Sequence, residues 1–485
     1  MISTLLICVA QQLISAQSAG TFTPTGSMTV ARTQHTATLL TDGRVLIVGG
    51  AFLASAEIYD PSTSAFSTTG SMSAPRWEHT ATLLPDGRVL IVGGGNGHGL
   101  AAPSVEIYDP ATGAFSPGGN LLFPRDGHSA ILLANGTVLL VGGSGLAAFP
   151  ALAPAEVYDP ATGVSTPTGP YVGTGGCDFC DPSTVLADGR VLFPQQAQWQ
   201  GPDRWGPVQL YDPSSNLFSL TGTMLDDRDA AAPLLNGNVL FAGGEDDFGR
   251  KATAELYDAA TGTFSSTGSM LFSRAWHTLT LLPDGRVLAA GGETEACIGP
   301  QQFCYFGGTV ASAELYDPVS GAFSATSSMT AAREIHTATL LNDGRVLVAG
   351  GESWIGAFPQ ASASAELYTP PALIPAPRLF PLSGDGQGAI WHATTGEVVS
   401  GGNPAIAGEA LAMYTSNLAE GGAVPPQVTI GAKLAEILYF GDAPGYPGYF
   451  QVNFRVPNGV APGSAVPVRL TYIGRPSNAV TIGVR

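Results

Sequence analysis

One sixteen-residue phrase, written seven times at intervals of about 50 residues, constrains this chain more than any other feature. It runs from His35 to Gly50 as His-Thr-Ala-Thr-Leu-Leu-Thr-Asp-Gly-Arg-Val-Leu-Ile-Val-Gly-Gly. It returns over residues 79–94, 128–143, 277–292 and 336–351, with degenerate copies starting at Asp181 and Asp229. Each copy leads to a second phrase of the type Ala-Glu-Ile-Tyr-Asp-Pro, whose tyrosine is Tyr59, Tyr108, Tyr158, Tyr211, Tyr257, Tyr316 or Tyr368. Within one repeat, His-Thr-Ala-Thr-Leu-Leu reads as a strand, Asp-Gly or Asn-Gly as a two-residue hairpin turn, and Arg-Val-Leu-Ile-Val as its partner. Gly-Gly then allows close approach of neighbouring backbone. The Glu-Ile-Tyr strand follows, and a tight Asp-Pro turn leads to a short fourth strand at the phenylalanine of Ala-Phe-Ser. A chain of 485 residues is too long for one compact core. Repeats solve that problem, and 63 Gly, 37 Pro and only 12% charged residues suit many short strands joined by tight turns.

Four strands per repeat and seven repeats predict an all-β, seven-bladed β-propeller over residues 19–370, with strands a to d counted from the axis outward. The pattern resembles the kelch repeat of galactose-oxidase-like propellers. Residues 21–28, Thr-Phe-Thr-Pro-Thr-Gly-Ser-Met, match the d-strand phrase at residues 66–72 and 264–270, yet nothing of a blade precedes them. The last repeat, conversely, ends at Tyr368-Thr369 without a d strand. The N-terminal segment is therefore expected to supply the outer strand of blade 7 and remove an open edge.

After Pro370 the repeat stops, and residues 371–385 read as a Pro-rich linker. Apolar alternation resumes at Val428-Thr-Ile, Glu436-Ile-Leu-Tyr-Phe, Phe450-Gln-Val-Asn-Phe-Arg-Val, Val466-Pro-Val-Arg-Leu-Thr-Tyr and Val480-Thr-Ile, which predicts a small Ig-like β-sandwich over residues 386–485. The phrases beginning at Asn403, Gly445 and Pro476 make this segment similar to an uncharacterised C-terminal domain of exported acidobacterial proteins. That resemblance implies extracellular placement and no particular activity.

The formal charge is −18, from 20 Lys+Arg against 38 Asp+Glu, so the long-range field repels phosphate backbones and anionic membranes. No nucleic-acid partner and no membrane span are expected. Residues 1–18 carry the apolar run Leu5-Leu-Ile-Cys-Val-Ala10 and a small-x-small site at Ala16-Gln-Ser18, read as a signal peptide. A basic n-region is missing, which leaves open a start further upstream or a frayed terminus. The expected location is secreted, periplasmic or at the cell surface. Cys177/Cys180 and Cys297/Cys304 form two close pairs that fit disulfides in an oxidising compartment; one four-cysteine zinc site would need two distant loops to converge.

The a–b and c–d turns are uniformly short, whereas the b–c loops and d–a lead-ins are long and variable, so the second set marks the binding face. Five lead-ins carry Arg-x-x-His: Arg32/His35, Arg76/His79, Arg125/His128, Arg274/His277 and Arg333/His336. Residues repeated blade after blade serve the blade, and the equally repeated Glu57, Glu106, Glu156, Glu255, Glu314 and Glu366 are the expected partners of the arginines. Blades 4 and 5 lose the motif and carry Asp178, Asp181, Asp226, Asp227, Arg228 and Asp229 instead, with Trp199, Arg204 and Trp205 in the blade 4 b–c loop. Acid groups beside tryptophans suit a carbohydrate site or a hard-cation site. The resemblance to galactose oxidase implies a copper-radical site with a cysteine before an innermost strand, where Cys180 stands. It also implies tyrosines at later lead-ins, where this chain has Arg228-Asp229, Trp276-His277 and Ile335-His336, so no cofactor and no metal are expected. The reading is a non-catalytic binding protein for a glycan or protein, with Asp178, Asp181, Trp199, Arg204, Trp205, Asp226 and Asp229 as ligand contacts and a carbohydrate-active enzyme as the alternative. Its oligomeric state is left open.

Overall fold

The computed structural model describes residues 20–95, 101–143, 154–170, 183–194, 208–226, 228–246, 249–298, 303–355, 358–382 and 384–485. Among these, every regular element is a strand. Seven four-stranded antiparallel sheets follow one another. Blade 1 shows the order: a Thr36–Leu39, b Val45–Val48, c Ser55–Asp60 and d Ala65–Ser71. Blades 2 to 6 repeat it over residues 80–120, 129–167, 184–220, 230–266 and 278–325. Blade 7 takes strands a to c from Thr337–Leu340, Val346–Ala349 and Ala365–Thr369, and its d strand is Thr21–Pro24. Phe22 pairs with Tyr368 and Pro24 with Glu366. The Phe22 ring lies 4.8 Å from Tyr368, as Phe66 does from Tyr59, so the N-terminal strand closes the ring with the contacts an ordinary d strand makes.

Strand b of blade 1 has all four residues buried, because each of its faces meets a neighbouring blade. The cores accordingly lie between blades: Val45 and Ile47 of blade 1 pack with Leu347 and Leu367 of blade 7. Each such side chain contributes about 1.5–3 kcal/mol of burial. The Gly-Gly after strand b is required by geometry. A Cβ on Gly49 would lie 2.8 Å from the His79 ring of the next blade, and one on Gly50 would lie 2.7 Å from the Thr33 carbonyl of its own lead-in. Both residues also sit at positive φ, 65° and 107°.

The C-terminal unit is a curled β-sheet around its own apolar core. Its ten-residue strand Lys433–Asp442 pairs with Gln427–Ile430 through its first half and with Phe450–Arg455 through its second, with a bulge at Ile437/Tyr439. This unit rests on the a–b turns of the propeller. Arg469 Nη1 donates to Thr41 O of blade 1 (3.0 Å), Ala423 N to Leu235 O of blade 5 (2.7 Å) and Ala376 N to Asn342 O of blade 7 (2.7 Å). The opposite face, built from b–c loops and lead-ins, carries none of these contacts.

Candidate functional site

In the five blades with Arg-x-x-His, the lead-in is anchored by a buried ion pair between its arginine and the strand c glutamate of the same blade. The distances are 2.9 Å for Arg32–Glu57 and Arg76–Glu106, 2.7 Å for Arg125–Glu156, 2.8 Å for Arg274–Glu314 and 3.0 Å for Arg333–Glu366. The guanidinium also donates to the carbonyl of the first glycine, as Arg32 Nη1 does to Gly49 O at 2.8 Å. The second carboxylate oxygen accepts a lead-in N–H, as Glu57 Oε2 does from Thr29. A buried charge pair whose carboxylate is hydrogen-bonded on both oxygens fixes the loop at its root.

Blade 5 loses Arg-x-x-His yet keeps the anchor. Arg228 stands two residues later than the motif requires, yet its side chain reaches Glu255 at 2.6 Å and is buried. Blade 4, whose sequence has Asp178 in the arginine's place, carries the neutral Gln209 where six blades have glutamate, and Gln209 is fully buried. Exchanging both partners avoids an unpaired buried carboxylate.

The histidines join blades. His79 Nε2 meets Thr36 Oγ1 of the preceding blade at 3.0 Å, His128 meets Thr80 at 3.0 Å, His336 meets Thr278 at 3.2 Å, and His35 meets Thr337 at 3.1 Å across the ring closure. Burial, followed by the adjacent arginine, pushes His35, His79 and His277 down to about 3, and His128 and His336 well below the usual value. These rings are neutral supports. His277 has no hydroxyl to reach, because blade 5 has Ala230 where blades 1, 2, 6 and 7 have threonine, and its Nε2 has no partner.

Of the sequence-predicted ligand contacts, Asp178, Asp181, Trp199, Arg204 and Trp205 lie outside the described residues, as do Cys177 and Cys180. Asp226 and Asp229 are half-buried and engaged in the lead-in. Asp226 accepts from Thr253 Oγ1 at 2.9 Å and lies 3.6 Å from Arg228, while Asp229 accepts from the Trp276 N–H at 3.3 Å. Cys297 lies directly across the hairpin from Cys304 in the backbone register.

A different cluster is assembled by the b–c loops of blades 5, 6 and 7. Each forms a hairpin, Glu245–Asp246 with Gly249–Arg250, Glu293–Ile298 with Phe303–Thr309, and Glu352–Ile355 with Phe358–Ala361. Bridges Ala275↔Glu293 and Glu334↔Glu352 tie the hairpins to the lead-ins. Arg250 holds Glu293, approaches Glu245 at 3.2 Å and lies 3.6 Å from Glu295. Glu334 accepts from Trp354 Nε1 at 2.8 Å through Oε1, while its buried Oε2 faces Glu293 and receives no donor. Burial, with Glu293 beside it, pushes Glu334 up to about 7. Trp276 donates to Glu245 in the same way, and the rings of Trp276 and Trp354 stay 40% and 39% exposed. The sequence held a signal for this cluster: Gly-Gly-Glu at Glu245, Glu293 and Glu352 in three consecutive blades.

The residue before each repeated histidine takes the left-handed conformation: Gln34 (φ 55°), Glu78 (52°), Trp276 (58°) and Ile335 (51°), with Gly127 (60°) in blade 3. Backbone bonds Gly127 N→Glu78 O and Ile335 N→Trp276 O link them across blades around the axial mouth. Non-glycine residues held there together mark a surface kept in shape by its surroundings. Gln34 Nε2 donates to Glu78 Oε1 at 2.9 Å, and burial with Asp126 nearby pushes Glu78 up to about 7. Phe52, 74% exposed, stacks beside Trp77 at 5.5 Å on the same face.

A Kelch motif family matches residues 79–122, the second blade. No curated protein matches the chain. Among solved structures, a fungal alcohol oxidase described as having catalytic diversity among the AA5 family, in complex with copper, is similar with a TM-score of 0.59 and 18% identity, over 96% of this chain and 100% of that one. That likeness concerns the fold. The donors that copper would need are not brought together among the described residues: no group of three or more His, Cys, Asp or Glu side chains could hold a metal ion. Four of the five repeated histidines spend Nε2 on a threonine, and the lead-ins of blades 5 to 7 offer Arg228, Trp276 and Ile335. The described residues do not fit that metal.

Proposed function

We propose that this chain is an exported, non-catalytic binding protein whose b–c face takes a glycan, with the wall over blades 5 to 7 as the principal contact. The observation that carries this reading is the pair of exposed indoles, Trp276 and Trp354, each anchored by its N–H to a carboxylate of the Arg250 cluster. An anchored indole offers a flat apolar surface to a sugar ring, and carboxylates beside it accept hydroxyl hydrogen bonds. The excess of Glu245, Glu293, Glu295 and Glu334 over a single arginine disfavours anionic ligands. Export agrees with the pairing of Cys297 across from Cys304, where a disulfide would lower the intact mass of the secreted protein by two hydrogens. A glycan array probed with the full chain tests the reading: Trp354→Ala should abolish binding at unchanged Tm.

Carbohydrate hydrolysis is the second reading, favoured by Glu78 and Glu334, whose carboxyls titrate near 7, the range of a general acid. A glycosidase-substrate screen decides between the two. Turnover lost in both Glu78→Gln and Glu334→Gln would replace the binding role with a catalytic one.

A further inference from the structure

The phrase starting at Gly445, Gly-Tyr-Pro-Gly-Tyr-Phe-Gln-Val-Asn-Phe-Arg-Val-Pro, plays no part in the propeller, and its alternation sorts it into two faces. Phe450, Val452 and Phe454 are buried in the core of the curled sheet, so Gln451 and Asn453 point outward. The ladder sets their neighbours. Gln451 lies between Tyr414 and Gly441, Asn453 lies between Ala412 and Tyr439, and Trp391 pairs with Ala412. The outer face is thus two adjacent rows of aromatic rings separated by primary amides.

Small side chains keep the floor flat. The Tyr439 ring crosses Gly441, where a Cβ would lie 2.8 Å from the tyrosine hydroxyl and 3.2 Å from Cζ. That ring therefore runs along the strand, 45% exposed. Two strands away, roughly 10 Å by strand spacing, lies Tyr414, which meets Trp391 of the next strand at 5.5 Å and the exposed Tyr446 at 6.0 Å. Gln451 Nε2 donates to Asn453 Oδ1 at 2.9 Å, which turns Gln451 Oε1 and Asn453 Nδ2 toward solvent as an acceptor and a donor.

We propose that this face of the C-terminal unit is a second binding surface, and that its ligand is a neutral polysaccharide. Aromatic faces suit the C–H faces of pyranose rings, and an acceptor beside a donor suits hydroxyls, which are both. Neither row contains a charged side chain. Arg455, at the edge, is neutralised by Glu436 at 2.8 Å. The formal charge of −18 disfavours an anionic membrane, and of the large aliphatic residues on the same strands only Leu438, at the bulge, is exposed. Contacts to the propeller come from Arg469 and Ala423, outside these rows.

The test is affinity electrophoresis of the full chain in gels containing hydroxyethylcellulose, xyloglucan or galactomannan, with polygalacturonate gels and phosphatidylglycerol vesicles as the other arms. Retardation is expected in at least one neutral gel. Tyr439→Ala, and separately the double variant Gln451→Ala/Asn453→Ala, should weaken it at least tenfold at unchanged Tm, while Trp354→Ala on the propeller leaves it intact. No retardation in any neutral gel, retardation indifferent to Tyr439→Ala, or binding confined to the acidic polymer or the vesicles would overturn the proposal.

Discussion

Glu366 and Glu334 belong to the same blade and are buried to nearly the same degree, 1% and 2% exposed, yet they face opposite electrostatic situations. Glu366 has Arg333 at 3.0 Å and the N–H of Thr330 at 2.7 Å. Glu334 has an indole N–H on one oxygen and only another carboxylate before the other. A buried charge that is paired and fully hydrogen-bonded serves the fold; one that is left uncompensated is a cost the fold tolerates for another reason. The repeated anchors and the wall over blades 5 to 7 thus differ in balance rather than in residue type, and the predictions are ways to disturb that balance on each side.

The largest effect is expected in the anchors. Arg333→Met should cost about 3–5 kcal/mol in denaturant unfolding, because it strands Glu366 in the interior. Adding Glu366→Gln, which copies the neutral Gln209 of blade 4, should recover much of that loss. Equal instability of the single and double variants would contradict the pairing argument.

The same contrast explains what could be read from the sequence. The arginines, histidines, glycines and glutamates of the anchors recur at fixed spacing because each blade solves one packing problem, so the propeller and its closure by the N-terminal strand were legible. The wall was not. Glu334 sits inside an ordinary copy of the repeat, between Arg333 and His336, and Glu293 simply follows Gly-Gly. Only the side-by-side arrangement of consecutive blades sets Glu334 against Glu293 and places Glu293 under Arg250. Asp226 and Asp229 stand out in the sequence because blades 4 and 5 break the pattern, but the structure bonds Asp226 to Thr253 of its own blade and Asp229 to the backbone of the blade 6 lead-in. Arg228 is a related lesson: a two-residue offset hid an intact anchor, since a long side chain reaches what its position does not.

Acid should weaken the ring next. The unfolded chain binds protons at its histidines near 6.5, while the native His35, His79 and His277 do so only near 3, so their contribution is complete above 6.5 and fades as pH falls toward 3. Glu78 and Glu334 act in the opposite sense, since their raised native values reward protonation between 4.5 and 7. Five histidines against three glutamates, Glu245 being raised as well by burial, predict a Tm that falls between pH 6.5 and 4, by several degrees in thermal scans. A flat profile would show that the rings are not held neutral.

A smaller and reversed effect belongs to the wall. Glu334→Gln keeps an acceptor for Trp354 and removes the charge facing Glu293, so Tm should rise by a few degrees at pH 8 and hardly change at pH 5, where Glu334 is already protonated. A loss at pH 8 would mean that the carboxylate stabilises the fold. Smallest of all, Ala230→Ser should give His277 Nε2 the hydroxyl that other blades provide, for a gain of about 0.5–1.5 kcal/mol in unfolding experiments.

The central claim, that the anchors serve the fold and the wall serves a ligand, is tested most directly by measuring glycan affinity and Tm together for Trp354→Ala and His336→Ala. The expected result is a crossed one: Trp354→Ala loses binding at unchanged Tm, and His336→Ala lowers Tm while its folded fraction binds as the parent does. If His336→Ala instead loses binding at unchanged Tm while Trp354→Ala binds normally, the ligand sits on the histidine ring and the division of roles drawn between the two regions is wrong.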